Sequence, residues 1–151
     1  MPLRTGTPLP ELTGATEWLG PEVRIADLIG KPTLVHFWAM SCPICHDNMP
    51  TVQRWRCEFG RENLNVVAIH MPREELDTDV SAVRMDAASM GIQEPCAIDN
   101  RHCIGERFQV QFWPAYFLFD AQGNLVARAA GHAGLSLIDT PLRRLAGAGA
   151  E

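Results

Sequence analysis

One short stretch limits what this chain can fold into. A run of β-branched and aromatic residues, Thr33-Leu34-Val35-His36-Phe37-Trp38, leads directly into Cys42-Pro43-Ile44-Cys45. The run is bounded by Lys31-Pro32 and by small residues, and it reads as a buried central strand. A helix is expected just after it. Ser41 or Cys42 stands at the N-cap, and Pro43 sits at or near the first helical position, where a missing N–H costs nothing. Met49, Val52, Trp55 and Phe59 follow as an apolar stripe, with Pro50 inside it as an expected kink and Gly60 as the stop. Two cysteines therefore stand where a buried strand hands over to a helix.

The rest of the chain repeats that alternation. One helical turn is expected at 25–29, a second buried strand at 65–70, and a helix at 80–90 stopped by Gly91. A short strand at 96–99, a short helix at 101–108 and a strand at 115–120 come next. A turn at 121–124, a returning strand at 125–129 and a last helix at 135–146 complete the pattern. The order β-α-β-α-β-α-β-β-α predicts an α/β protein, a three-layer α/β/α sandwich with a mixed central sheet. Residues 1–22 are rich in Pro, Gly and Thr. They read as an irregular lead-in with a short hairpin around Trp18 and Val23. A single domain is expected over 23–147 and a tail over 148–151.

The net charge of −5 is spread without a long run of one sign, which argues against a nucleic-acid partner. No segment is long and apolar enough to span a bilayer. The start, Met1-Pro2-Leu3-Arg4-Thr5-Gly6, lacks the apolar core of a secretory signal. The expectation is a cytoplasmic protein if the chain is complete, or a periplasmic or extracytoplasmic one if a leader was removed. A monomer is expected.

The five cysteines are Cys42, Cys45, Cys57, Cys96 and Cys103, an odd count that suits chemistry better than a disulfide scaffold. At a helix N-terminus the first cysteine of a Cys-x-x-Cys pair meets unpaired N–H groups and the positive end of the helix dipole. Both favour thiolate over thiol. The second lies deeper and stays protonated longer. This assigns Cys42 as attacking nucleophile and Cys45 as the sulfur that resolves the mixed disulfide. Such a pair carries its own redox equivalents, so neither a cofactor nor a metal is expected. Half of a zinc knuckle is the competing interpretation, but no second Cys-x-x-Cys supplies the other ligands.

The stretch Phe37-Trp38-Ala39-Met40-Ser41-Cys42-Pro43-Ile44-Cys45, with Pro50 five residues on, resembles the active-site motif of the thioredoxin superfamily. It is nearest to the TlpA/ResA-like branch. Trp113-Pro114, just ahead of the strand at 115–120, extends the likeness, which covers about residues 20–147. The resemblance implies a thioredoxin fold and thiol–disulfide exchange with protein substrates and a redox partner. It also implies a cis-proline at Pro114 packed against the dithiol, with Trp113, Pro114 and Trp38 lining the substrate groove. Taken alone, Pro114 is an ordinary trans-proline at a strand edge. The Trp113-Pro114 pair with Ile98-Asp99-Asn100 upstream is similar to the thioredoxin-like domains found beside NHL repeats, and the large ring of Trp113 implies restricted access.

Other positions depart from the family pattern. His36 stands where thioredoxins proper carry a buried acid; it is a candidate base or a core histidine with a satisfied hydrogen bond. His46 directly follows Cys45. Charged, it would favour the thiolate; otherwise it is a solvated surface histidine. Asn48 replaces the Glu of membrane-anchored reductive members. Cys96 and Cys103 are candidates for a second disulfide or are two buried thiols, and Cys57 is read as core packing beside Trp55 and Phe59. Two other functions compete. A thiol peroxidase would need a threonine three residues before its cysteine, where this chain has Ala39 and Cys42. A metal-binding or metal-delivery protein would want Cys-x-x-x-Cys with a distant histidine, for which His102 and His132 are candidates.

Overall fold

Strand residues of this chain alternate between two apolar clusters, and that alternation builds the layers. The computed structural model describes residues 3–148. The elements in order are β1 (Glu17–Leu19), α1 (Ile25–Leu28), β2 (Thr33–Trp38), α2 (Pro43–Phe59) and β3 (Asn65–His70). A 3-10 turn (Glu75–Thr78), α3 (Val80–Ser89), β4 (Cys96–Ile98), α4 (Cys103–Arg107), β5 (Ala115–Phe119), β6 (Leu125–Ala130) and α5 (Gly134–Ala148) follow. One six-stranded sheet has the order β1-β4-β3-β2-β5-β6. β2, β3 and β4 are parallel neighbours, while β1, β5 and β6 pair antiparallel. The mixed sheet and its two covering layers match the expected thioredoxin-like sandwich.

On β2, Leu34 and Trp38 point into a cluster with Met49, Val52 and Trp55 of α2, Val83 and Ala87 of α3, and Ile138 and Leu142 of α5. Val35 and Phe37 point the other way, toward Leu28, Ile104, Phe108 and Phe117. Phe37, Phe108 and Phe117 meet edge-on with ring centroids 5.1–5.7 Å apart, the arrangement aromatic quadrupoles prefer. Each fully buried side chain of this size contributes about 1.5–3 kcal/mol relative to exposure. α2 continues through Pro50, which is exposed on its outer side, with Gly60 as the C-cap at φ +74.

The N-terminal segment departs from its expectation. No hairpin forms around Trp18 and Val23. Instead β1 pairs with β4 at the sheet edge, Glu17 opposite Ile98 and Leu19 opposite Cys96. Leu3, Leu9 and Leu12 are buried in the second cluster, and Pro8 bridges to Asn124. These leucines are too sparse to show a strand period, and their burial comes from tertiary contact. The expected tail begins at Ala148, where α5 ends; residues 1–2 of the lead-in and 149–151 of the tail lie outside the described residues.

Behind the edge that carries the cysteines, Asp99 follows β4 and caps α4. Its carboxylate accepts the Ile104 N–H at 3.0 Å and the Gly105 N–H at 2.8 Å. Gly105 is buried, and a Cβ there would overlap the Met71 side chain. Gly105→Ala is expected to destabilise the fold by about 1–3 kcal/mol through overpacking. That is a fall of roughly 3–10 °C in Tm, read by thermal unfolding of the two proteins side by side. An unchanged Tm would show that Met71 repacks freely.

Candidate active site

Parallel pairing brings the C-terminal ends of β2, β3 and β4 to one edge of the sheet, the place where open α/β sheets hold their sites. β5 runs antiparallel and so begins at that edge, directly after Trp113-Pro114. The Trp113–Pro114 peptide bond is cis. Cys42 and Cys45 stand at the same edge, joined in a disulfide.

Local chemistry explains their placement. Cys42 is the N-cap of α2, with extended backbone, and Pro43 opens the helix. The Cys42 sulfur accepts the Cys45 N–H at 3.1 Å, so the sulfur itself satisfies one of the orphan donors of the helix start. Cys42 is 2% exposed and Cys45 1%, while Pro43 and Ile44 between them are exposed. Trp113, half-buried, packs against the cluster containing both sulfurs, and its indole N–H donates to the Met71 carbonyl at 2.7 Å.

Pro114, Cys45, His36, Trp38, Met49, Val52 and Tyr116 close around a void with no room for a water molecule. His36 is buried, and its Nε2 lies 2.7 Å from Glu94 Oε2, a carboxylate that is itself buried. Gln53 donates to the same carboxylate at 3.0 Å, and Arg56 lies 3.5 Å from its other oxygen. Burial alone would raise the Glu94 carboxyl. The hydrogen bonds from His36 and Gln53 hold it below the usual carboxylate range. Asn48 donates to the Tyr116 hydroxyl at 3.0 Å, and burial pushes that phenol up to about 12. The two side chains satisfy each other in the core.

His46 is not left to solvent. Its Nδ1 is 2.8 Å from the Cys42 carbonyl and its Nε2 is 2.8 Å from Asp86 Oδ2 on α3. Both partners accept, so both ring nitrogens must donate, and only the imidazolium does that. Partial burial pulls its pKa down. The Cys42 carbonyl, the Asp86 carboxylate and the charge of Asp47 overcome that and raise it above 6.5.

Four sequence expectations need correction. Trp38 is fully buried, its ring edge-on to His70 with centroids 4.6 Å apart, and it offers no surface to a substrate. As an even-numbered residue of β2 it faces the cluster beneath α2. Cys96 and Cys103 are both free. Cys96 points into the cluster under α2 and α3, whereas Cys103 opens α4 on the opposite face, so the sheet separates them. Burial pushes the Cys96 thiol up to about 12, which keeps it protonated. Cys57 is exposed rather than part of the core. The histidines considered for a metal, His102 and His132, gather no ligand set: among the described residues no group of three or more His, Cys, Asp or Glu is placed to hold an ion.

Sequence reasoning missed Glu94, Asp86, His70 and Asp77. His70 ends β3 at the active edge and Asp77 follows in the next loop. The rule that parallel strands present their sites at their C-terminal ends was the signal that could have singled out both.

Comparison with known proteins agrees with this geometry. The AhpC/TSA family matches residues 5–128. Thiol-disulfide oxidoreductase YkuV of Bacillus subtilis (strain 168) is 41% identical over 139 residues, covering 91% of this chain and 93% of that protein. Thiol-disulfide oxidoreductase ResA of Bacillus anthracis is 27% identical over 116 residues, covering 77% of this chain and 64% of that protein. A solution structure of a thioredoxin-like protein in its oxidized form superposes with a TM-score of 0.88 at 39% identity, covering 97% of this chain and 99% of that one. A buried Cys-x-x-Cys disulfide at a helix N-terminus, beside a cis-proline, on a sheet shared with these oxidoreductases, places the chain in the AhpC/TSA family as a thioredoxin-fold thiol–disulfide oxidoreductase.

Proposed function

We propose that Cys42 is the attacking sulfur and Cys45 the resolving sulfur of an exchange with protein thiols and disulfides, entered through a narrow approach beside Trp113. The observation that carries this reading is the Cys42 sulfur acting as its own helix cap, with the Cys45 N–H directed at it. A charge on that sulfur is stabilised where it forms.

In the reducing direction the Cys42 thiolate attacks one sulfur of a substrate disulfide. That bond breaks, a mixed disulfide forms, and the departing substrate thiolate takes a proton. Cys45 then loses its proton and attacks Cys42. The second substrate thiolate leaves, and two electrons and two protons have moved from the dithiol to the substrate. Every step reverses in the oxidising direction. The sulfur pair holds both electrons, so the scheme draws on no cofactor, and the site is completed within one chain. A redox partner resets the pair.

His36 is assigned as the acceptor of the Cys45 proton. Both line the same dry void. Glu94, held as a carboxylate, accepts from Nε2–H, which leaves Nδ1 as the ring's proton-accepting nitrogen. His46 acts on the other sulfur. As an imidazolium in the first turn of α2, bonded to the Cys42 carbonyl, it favours the Cys42 thiolate.

Cys42→Ser is expected to abolish reduction of insulin disulfides, and Cys45→Ser to accumulate a mixed disulfide with substrate on a non-reducing gel. Wild-type turnover by the Cys42→Ser protein would overturn the assigned nucleophile. Trp113→Thr opens the approach. Its rate with a small generic disulfide should rise by up to about tenfold, the effect of ~1.4 kcal/mol on the barrier. An unchanged rate would mean that Trp113 does not limit access.

The pH dependence follows from the raised pKa of His46. The imidazolium is fully present below 6.5, and it is lost as pH rises through the folded-state value. The groups facing it are Asp86 from α3 and Asp47 from its own helix. A partly exposed charge pair of this kind contributes about 0.2–1 kcal/mol. His46→Gln should therefore raise the Cys42 pKa by roughly 0.1–0.7 unit. The variant's Cys42 should alkylate more slowly than wild type below pH 6.5, and the difference should vanish at pH values above the His46 titration. Equal rates across the whole range would remove His46 from the mechanism.

A further inference from the structure

The residues just before Cys42 have no regular structure, yet buried side chains from elsewhere in the chain grip their polar groups one after another. His70, at the end of β3, accepts the Met40 N–H through Nε2 at 3.0 Å. Asp77, in the 3-10 turn, accepts the Ser41 N–H at 3.0 Å on Oδ1 and the Ser41 hydroxyl at 2.7 Å on Oδ2. Both side chains are fully buried. The Cys42 N–H closes the turn on the Ala39 carbonyl at 3.0 Å.

The protonation states are fixed by these contacts. Oδ2 of Asp77 also accepts the N–H groups of Arg73 at 2.9 Å and Glu74 at 3.3 Å. Four donors converge on one carboxylate, and only the ionised form can accept from all of them. Burial opposes that charge, but the bonds from Ser41, Arg73 and Glu74 hold the Asp77 pKa below its ordinary value. Nε2 of His70 accepts, so the ring proton sits on Nδ1. Burial pushes this histidine down to about 4 against the pull of Asp77. The same stretch grips the other side of the site through the Trp113 indole on the Met71 carbonyl.

We propose that His70 and Asp77 are positioning residues of the exchange reaction, which hold the Met40 and Ser41 peptide groups so that the Cys42 sulfur stays on the N-terminus of α2. Neither side chain touches the sulfur through a hydrogen bond. Their effect passes through the backbone. The inference rests on the reading of Cys42 as the attacking sulfur.

The test uses the full chain in its reduced form with four variants: His70→Leu, His70→Gln, Asp77→Asn and Ser41→Ala. The pH midpoint of Cys42 alkylation, resolved by peptide mass mapping, is measured with the rate of exchange against an oxidised peptide. His70→Leu removes the acceptor without changing charge. It should raise the Cys42 midpoint by about half a unit or more and slow exchange by about tenfold or more. His70→Gln, which offers an oxygen near the Nε2 position, should recover most of both. Asp77→Asn removes a negative charge, which alone would lower the midpoint; a rise therefore isolates the loss of hold. Ser41→Ala cuts one bond and leaves both buried partners intact, so it reports even where the deeper variants fail to fold. A smaller rise is expected from it. Folded variants with unchanged or lowered midpoints and wild-type rates would overturn the proposal while Cys42→Ser remained inactive. A wild-type protein without exchange activity would instead remove the reading of Cys42.

Discussion

The register between β2 and β3 runs unbroken from Thr33 opposite Asn65 to Trp38 opposite His70. Because the two strands are parallel, this one pairing places the end of β2 beside the end of β3, and with it the start of α2 beside His70. β4 continues the alignment, with His70 opposite Ile98. β5 pairs antiparallel with β2, and so it delivers Trp113 and Pro114 to the same edge. A one-residue slip in β2 would exchange the faces of Leu34, His36 and Trp38 with those of Val35 and Phe37. Trp38 would leave the cluster under α2, and His36 would lose Glu94. The site therefore depends on a backbone ladder, and its chemistry depends on which side of that ladder each residue falls.

The buried carboxylates along this edge are compensated by specific partners, whereas the Trp38 indole N–H and Nδ1 of His70 have none. An unpaired buried carboxylate would cost several kcal/mol, yet Glu94 and Asp77 are both well enclosed. Glu94 draws on His36, Gln53 and Arg56. Asp77 draws on Ser41 and on two backbone N–H groups of its own loop. These networks run from β2 to the approach to β4, and from the strand-to-helix turn to the loop after β3. They join pieces of chain that the apolar core alone would leave free to slide.

The elements themselves were plain in the sequence wherever a short period was unbroken. β2 and β3 fall where continuous β-branched runs place them, and α2 starts where Pro43 follows a capping residue. The cysteine pair was legible because its spacing and its strand-to-helix context occur together. What the sequence withheld was contact between distant segments. Glu17-Trp18-Leu19 is too short to carry a period, and it is a strand only because β4 offers a free edge. Glu94 precedes a strand in an ordinary-looking Gln-Glu-Pro stretch, and nothing local shows that His36 lies 2.7 Å away. The side assigned to Trp38 was lost for a related reason. A motif names the residue, whereas burial is decided by the parity of the strand.

The burial of Cys42, the sulfur proposed to attack, has a physical consequence for that reaction. A cysteine 2% exposed sits in a medium that disfavours the thiolate, and at Cys96 burial pushes the thiol up to about 12. The two thiols are both deep in the same cluster, but only one is at a helix start. Cys42 meets the Cys45 N–H and the dipole of a seventeen-residue helix, with the His46 imidazolium one turn away. Cys96 lies in the middle of a sheet with an indole and a backbone carbonyl for company. Location on the backbone, more than depth, separates a reactive sulfur from an inert one. On the proposed reading, the loop holding Cys42 in place is part of the chemistry. A turn that drifted from the helix axis would leave the sulfur buried and take it away from the helix N–H groups that make burial compatible with charge.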